Sequence, residues 1–208
     1  MIRLGQSDGV EAQVETAAEA MARGETVVLP TDTVYGLACD PRRPEAVARV
    51  FAMKGRPAGR NLPIIVTGAE QARELGVRWI DAADRLAKAF WPGALTIAVG
   101  VDAPRVEWLA GRVEVGLRAP GDALIQGIAR RLGGFVMTSA NRHSHVTPAS
   151  LDQALDDLAG PPGVAIDGGT LPVVSSTLVN VNLPVPEIER EGVIARAAIE
   201  EVLADVRA

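Results

Sequence analysis

The chain has 208 residues, 48% hydrophobic, 23% charged and 3% aromatic, which excludes collagen-like, coiled-coil and disordered classes and leaves room for one domain, residues 1–208, with a sizeable core. Lys+Arg total 21 against 26 Asp+Glu, a net charge of −5, which argues against a protein whose whole surface binds nucleic acid. Only two of those cations, Lys54 and Lys88, are lysines.

Helix and strand signals interleave along the chain. Asp8 with Glu11 reads as a capping box for a helix carrying Val10, Val14, Ala17 and Met21, closed by Gly24. A buried strand follows at Thr26–Leu29. Pro44 fits the first turn of a helix with Val47, Val50 and Phe51 on one face. Leu62–Val66 reads as a short strand, Ala82–Phe90 as a helix stopped by Trp91-Pro92-Gly93, and Leu95–Val101 and Val113–Leu117 as strands. Asp122 caps a helix carrying Leu124, Ile128 and Leu132, closed by Gly133-Gly134. Phe135–Thr138 is a strand, and Ser150 with Gln153 opens a further helix. Val164–Ile166 and Ser176–Val181 are strands, and Ala197–Val206 is a last amphipathic helix. This alternation predicts an α/β (α+β) domain, a sheet with helices packed on it.

Much standard machinery is missing. There is no G-x-G-x-x-G, no P-loop and no G-x-S-x-G elbow. His143 and His145 sit two apart in a polar loop without a third ligand nearby, and read as solvated histidines. Cys39, the one cysteine, reads as an apolar filler, and a lone cysteine fits a reducing compartment. The N-terminus lacks a signal core and no stretch approaches the roughly 20 apolar residues of a membrane span. A cytoplasmic protein without membrane contact is the expectation.

The polar segments that remain lie beside apolar strands. Pro30-Thr-Asp-Thr-Val-Tyr-Gly-Leu37 puts Thr31 and Thr33 on one face if the chain stays extended. An ST-turn is the alternative. Lys54-Gly-Arg56-Pro-Ala-Gly-Arg60-Asn61 gathers three cations and an amide at a helix end, which suits either a polyphosphate or the helix dipole. Ser139-Ala-Asn141 leaves a strand end, Ser175-Ser176-Thr177 precedes one, and Arg190-Glu-Gly192 follows it; Arg118 closes another strand. Local capping and surface ion pairs are the alternatives at these positions.

In this order, together with Phe90-Trp-Pro-Gly93, Thr96, Arg118-Ala-Pro120 and Ser176-Thr-Leu-Val179, these segments resemble the YrdC/TsaC family of threonylcarbamoyl-AMP synthases over nearly the whole chain, in its short single-domain form. The resemblance implies a twisted mixed sheet with a concave positive cavity. It implies that L-threonine, bicarbonate and ATP give L-threonylcarbamoyl-AMP, pyrophosphate and water, as a nucleotidyltransferase, for modification of the tRNA adenosine next to the anticodon. Thr33, Arg118, Ser139 and Ser176 would then hold threonine, with Arg118 on its carboxylate. Lys54, Arg56, Asn61, Asn141 and Arg190 would hold ATP, with Lys54 and Arg56 as the catalytic cations. Mg²⁺ would arrive with the nucleotide rather than in a protein cage, and tRNA or the transferase complex would be the macromolecular contact. Two departures stand out: Asn141-Arg-His143-Ser144 where the family reads Asn-x-Ser-Gly, and Val66 where a strand-end histidine is usual. The competing function is a paralogue with altered activity that binds RNA or nucleotide.

Overall fold

A computed structural model describes residues 1–57 and 61–204. Arg60 of the basic segment and the end of the predicted last helix, Asp205-Val206, lie outside the described residues. In chain order the elements are β1 (Ile2–Leu4), α1 (Val10–Ala22), β2 (Val27–Leu29), β3 (Gly36–Cys39), α2 (Pro44–Lys54), β4 (Ile64–Ile65), α3 (Ala69–Glu74), α4 (Asp81–Phe90), β5 (Leu95–Gly100), β6 (Glu114–Arg118), α5 (Ala123–Leu132), β7 (Phe135–Ser139), α6 (Leu151–Asp157), β8 (Val164–Ile166), β9 (Thr177–Asn180), β10 (Glu187–Arg190) and α7 (Arg196–Leu203).

The local signals explain most helix ends. Pro44 occupies the first turn of α2. Asp122 accepts the Ile125 N–H at the start of α5, and Gly133 ends that helix with a left-handed φ of 72°. Ser150 and Gln153 form the capping box of α6. The Asp8–Glu11 box does not form. Gly9 is the N-cap of α1, and the Asp8 carboxylate instead turns back to the Gly5 N–H at 2.6 Å. A short 3-10 turn at Gln6–Asp8 takes up the residues that would have capped the helix.

The ten strands form one mixed sheet in the order β1-β8-β2-β3-β7-β4-β6-β5-β9-β10. Side-chain alternation divides its faces. On one face Leu37, Ile64, Val136, Leu117, Ile97 and Val179 join the larger core with residues of α2, α4 and α7. On the other, Ala38, Ile65, Phe135, Met137 and Val164 pack under α1 and α5. Those two helices reach only across the β8–β4 part of the sheet. The strands beyond it, β6, β5 and β9, are left uncovered on that face, so their second set of side chains becomes a cavity floor rather than core.

Candidate active site

The cavity holds about 560 Å³. The same period-two alternation that buries Val115 and Leu117 turns Glu114, Gly116 and Arg118 into it, and the one that buries Ile97 and Val99 turns in Thr96 and Ala98. The pairing register sets Arg118 opposite Thr96, Thr96 opposite Leu178, and Leu178 opposite Arg190. One row across four strands therefore carries an arginine at each end. Two residues further along each strand, the floor is Gly116 and Ala98, with almost no side-chain bulk.

Seven of the nine residues expected from the sequence line this cavity: Thr33, Arg56, Asn61, Arg118, Ser139, Ser176 and Arg190. Arg118 is 7% exposed. It donates from Nη1 to Thr33 Oγ1 (3.0 Å), from Nε to the Gly93 carbonyl (3.3 Å) and from Nη2 to Asp32. Burial lowers its basicity, and the Asp32 carboxylate opposes that shift. Across the floor, Arg190 donates to the Ser176 carbonyl (3.0 Å) and to Ser176 Oγ (3.1 Å), and Ser176 Oγ lies 2.9 Å from Thr96 Oγ1. Arg190 has no carboxylate within 4.0 Å among the described residues, so its charge is available to an anion. Arg56 Nη2 donates to the Asn61 carbonyl (3.1 Å), and Asn61 Nδ2 to the Glu114 carbonyl (2.9 Å), which ties the segment after α2 to the rim of β6.

Lys54 and Asn141 lie elsewhere. Lys54 is 2% exposed, and its ammonium donates to the carbonyls of Ser139 and Asn141 rather than pointing into the cavity. Burial, with the neighbouring charge of Arg56, lowers its pKa to about 8. Asn141 turns its amide nitrogen back onto the carbonyls of Arg142 (3.0 Å) and His145 (2.7 Å), and its buried Oδ1 has no partner among the described residues. These two residues shape the turn after β7 instead of lining the cavity.

Thr31 and Thr33 do meet, at 3.0 Å, but not on an extended strand. Thr31 Oγ1 accepts the N–H groups of Thr33 and Val34 and donates to the Val34 carbonyl, an ST-turn that aims Thr33 at Arg118. The two departures from the family pattern are structurally quiet. Val66 is fully buried in the larger core, on the face away from the cavity. Ser144 takes a left-handed φ of 67°, so the backbone keeps a glycine-like conformation without glycine. Asp157 holds that turn, accepting from the Arg142 N–H (2.6 Å) and lying 2.7 Å from His145 Nδ1. Burial pushes the Cys39 thiol up to about 12, which fits a filler and not a nucleophile.

Sequence reasoning missed the acidic side of the site. Glu114 and Glu189 also line the cavity, and the buried Asn180 donates to both carboxylates, at 3.0 and 2.7 Å. Asp32 stands at the rim on Arg118. Alternation from Arg118 back to Glu114 was the signal that would have found one of them.

A Mycobacterium tuberculosis protein, provisionally named a threonylcarbamoyl-AMP synthase, is 35% identical over 195 residues, covering 91% of this chain and 88% of its own. The threonylcarbamoyl-AMP synthase of Bacillus subtilis is 31% identical over 202 residues, covering 94% of this chain and 58% of its own. The crystal structure of Pyrococcus abyssi Sua5 complexed with L-threonine superposes with a TM-score of 0.86 at 29% identity, over 97% of this chain and 60% of that one. Residues 19–192 match the family model for Sua5, YciO and YrdC proteins, described as "Telomere recombination". The chain belongs to the Sua5/YciO/YrdC family.

Proposed function

We propose that this protein forms L-threonylcarbamoyl-AMP from L-threonine, bicarbonate and ATP, releasing pyrophosphate. The single observation that carries the reading is the row with an arginine at each end, the buried Arg118 and the exposed Arg190, with the hydrogen-bonded hydroxyls of Thr96 and Ser176 lying between them and Ser176 also accepting from Arg190. Such a row suits a substrate pair with a carboxylate on one and phosphates on the other. The threonine-bound Pyrococcus abyssi relative supports the amino acid.

The chemistry needs alignment more than a nucleophile. Threonine's amine, once deprotonated, adds to CO2 drawn from bicarbonate, and a carbamate oxygen attacks the α-phosphorus in line with departing pyrophosphate. Bringing these groups together and balancing charge on the phosphates supplies the catalysis. Arg118, Thr33 and Ser176, with Ser139, hold threonine. Arg190, Arg56 and Asn61 hold the nucleotide. Lys54 acts indirectly, fixing the Ser139–Asn141 turn through its two carbonyl bonds. Mg²⁺ would come on the triphosphate and neutralise its charge. Among the described residues no three His, Cys, Asp or Glu side chains converge on one point. The product would pass to a transferase acting on the tRNA adenosine beside the anticodon. No helix among the described residues is long and apolar enough to cross a membrane.

The test is pyrophosphate release with ATP, threonine and bicarbonate each omitted in turn. Release is expected only with all three present; release that ignores threonine overturns the reading.

A further inference from the structure

Arg118 has five N–H groups, and three are donated, to Gly93, Thr33 and Asp32. The remaining two have no acceptor among the described residues, and they sit on a guanidinium whose neighbour Thr33 lines the cavity. Any carboxylate that takes them arrives beside the carboxylate of Asp32. The pair is lopsided: the Arg118 side chain is 8% exposed and that of Asp32 is 26% exposed. Asp32 has little else to hold it, since its second oxygen meets only the Gly121 N–H at 3.4 Å.

This local charge count differs from the rest of the cavity. At Arg118 the cation is already matched by the Asp32 carboxylate, with Arg190 as the further charge that reaches it. At Arg190 no carboxylate lies within 4.0 Å among the described residues, and that end remains positive. A bare carboxylate at Arg118 would face Asp32 as a like charge in a partly desolvated setting, where such repulsion is strong. A ligand with a carboxylate and a cation on adjacent atoms satisfies both members of the pair. An α-amino acid zwitterion is that ligand.

We propose that Asp32 is a specificity-determining residue, and that its carboxylate accepts the α-ammonium group of the amino acid whose carboxylate is held by Arg118. Resting on the functional reading above, this goes further by saying which form of the substrate is selected and what rejects its competitors. Carboxylic acids lacking the amine are turned away by Asp32, and amines lacking the carboxylate leave Arg118 unsatisfied. The ammonium contact ends when the amine is carbamoylated, so Asp32 favours entry of the free amino acid and not retention of the carbamate.

The experiment measures equilibrium binding by calorimetry on the full chain, with threonine, its des-amino analogue 3-hydroxybutyrate and its des-carboxy analogue 1-aminopropan-2-ol. Wild-type protein is expected to prefer threonine to both analogues. Asp32→Asn is expected to weaken threonine by about 10- to 100-fold, the range of one charge-assisted hydrogen bond. The same variant should bind 3-hydroxybutyrate at least as well as wild type does. A parallel loss of both ligands means that Asp32 merely holds Arg118 in place and overturns the proposal, as does unchanged threonine binding. A circular-dichroism melt matching wild type shows that the variant is folded. Should it melt early, wild-type binding decides alone: equal affinity for threonine and 3-hydroxybutyrate overturns the proposal. Wild-type protein that binds no threonine at all overturns the functional reading first.

Discussion

The hydroxyls of Thr96 and Ser176 lie 2.9 Å apart although 80 residues separate them in the chain. Thr96 projects from β5 into the cavity, Ser176 stands just before β9, and the parallel pairing of these strands brings the two together. Arg190 then reaches Ser176 Oγ from the next strand, so one serine links a hydroxyl and a cation across the floor. Ser176→Ala removes both links. We expect kcat/KM for threonine to fall about tenfold or more, in line with about 1.5–3 kcal/mol for a hydrogen bond to a charged group, while the melting temperature changes little. Steady-state pyrophosphate release with varied threonine checks this.

Gly116 sits in the floor between Arg118 and Glu114. A Cβ there would meet Thr96 Cγ2 at 3.2 Å, and any larger side chain would rise into the space above. Gly116→Val suits a strand backbone but fills the floor. We expect a folded protein whose affinity for substrates falls by at least an order of magnitude, read by calorimetry and circular dichroism together.

Lys54 gives a pH signature. Its pKa in the folded protein is about 8, below the ordinary 10.5, with burial as the main cause. Between about pH 8 and 10.5 the unfolded chain carries a proton on this amine that the folded chain has lost, so stability from this group rises with pH across that window. The neutral amine can still donate to the Ser139 and Asn141 carbonyls. Denaturant melts at pH 7.5, 9 and 10 should show wild type gaining on Lys54→Met as pH rises. A constant difference would mean that the amine is not desolvated in the folded state.

Ser144 holds φ at 67°, a conformation that disfavours side chains by roughly 1–2 kcal/mol, while glycine's greater unfolded-state freedom offsets part of that. Ser144→Gly should therefore raise stability by up to about 1 kcal/mol, and Ser144→Val should lower it. Thermal melts of the two variants give the comparison.

Sequence signals were most legible where a residue acts on its own neighbours. Asp122, Gly133, Ser150 and Pro44 each do in the fold what their position suggested, because capping needs only a few residues of context. Asp8 misled for the same reason: two local partners competed, and Gly5 won over the helix start. The strands β1, β3 and β10 went unread. β3 is four buried residues running straight out of the threonine turn, and β10 is a polar edge strand with one aliphatic side chain. In the site, hydroxyls and arginines stood out by type and order. Lys54 was visible as a cation, but its acceptors lie 85 and 87 residues away, at the end of β7 and in the turn that follows it. Of the acids, Glu114 was marked only by its alternation with Arg118, Glu189 is brought to the cavity by strand pairing, and Asp32 reaches Arg118 from the threonine turn.

Strand order also dictates when this protein becomes competent during synthesis. β7, starting at Phe135, inserts between β3 and β4, and Arg190 sits on an edge strand laid down last beside β9. A ribosome-bound chain that has emerged to residue 134 has no strand to join β3 to β4 and none to join β1 to β2, and lacks Ser139, Ser176 and Arg190 altogether. Ligands therefore offer no template to a partly made chain. They can only reward one that is nearly complete, and translation products ending before Arg190 should be poor at retaining nucleotide, exposed to quality control and unable to tie up substrate.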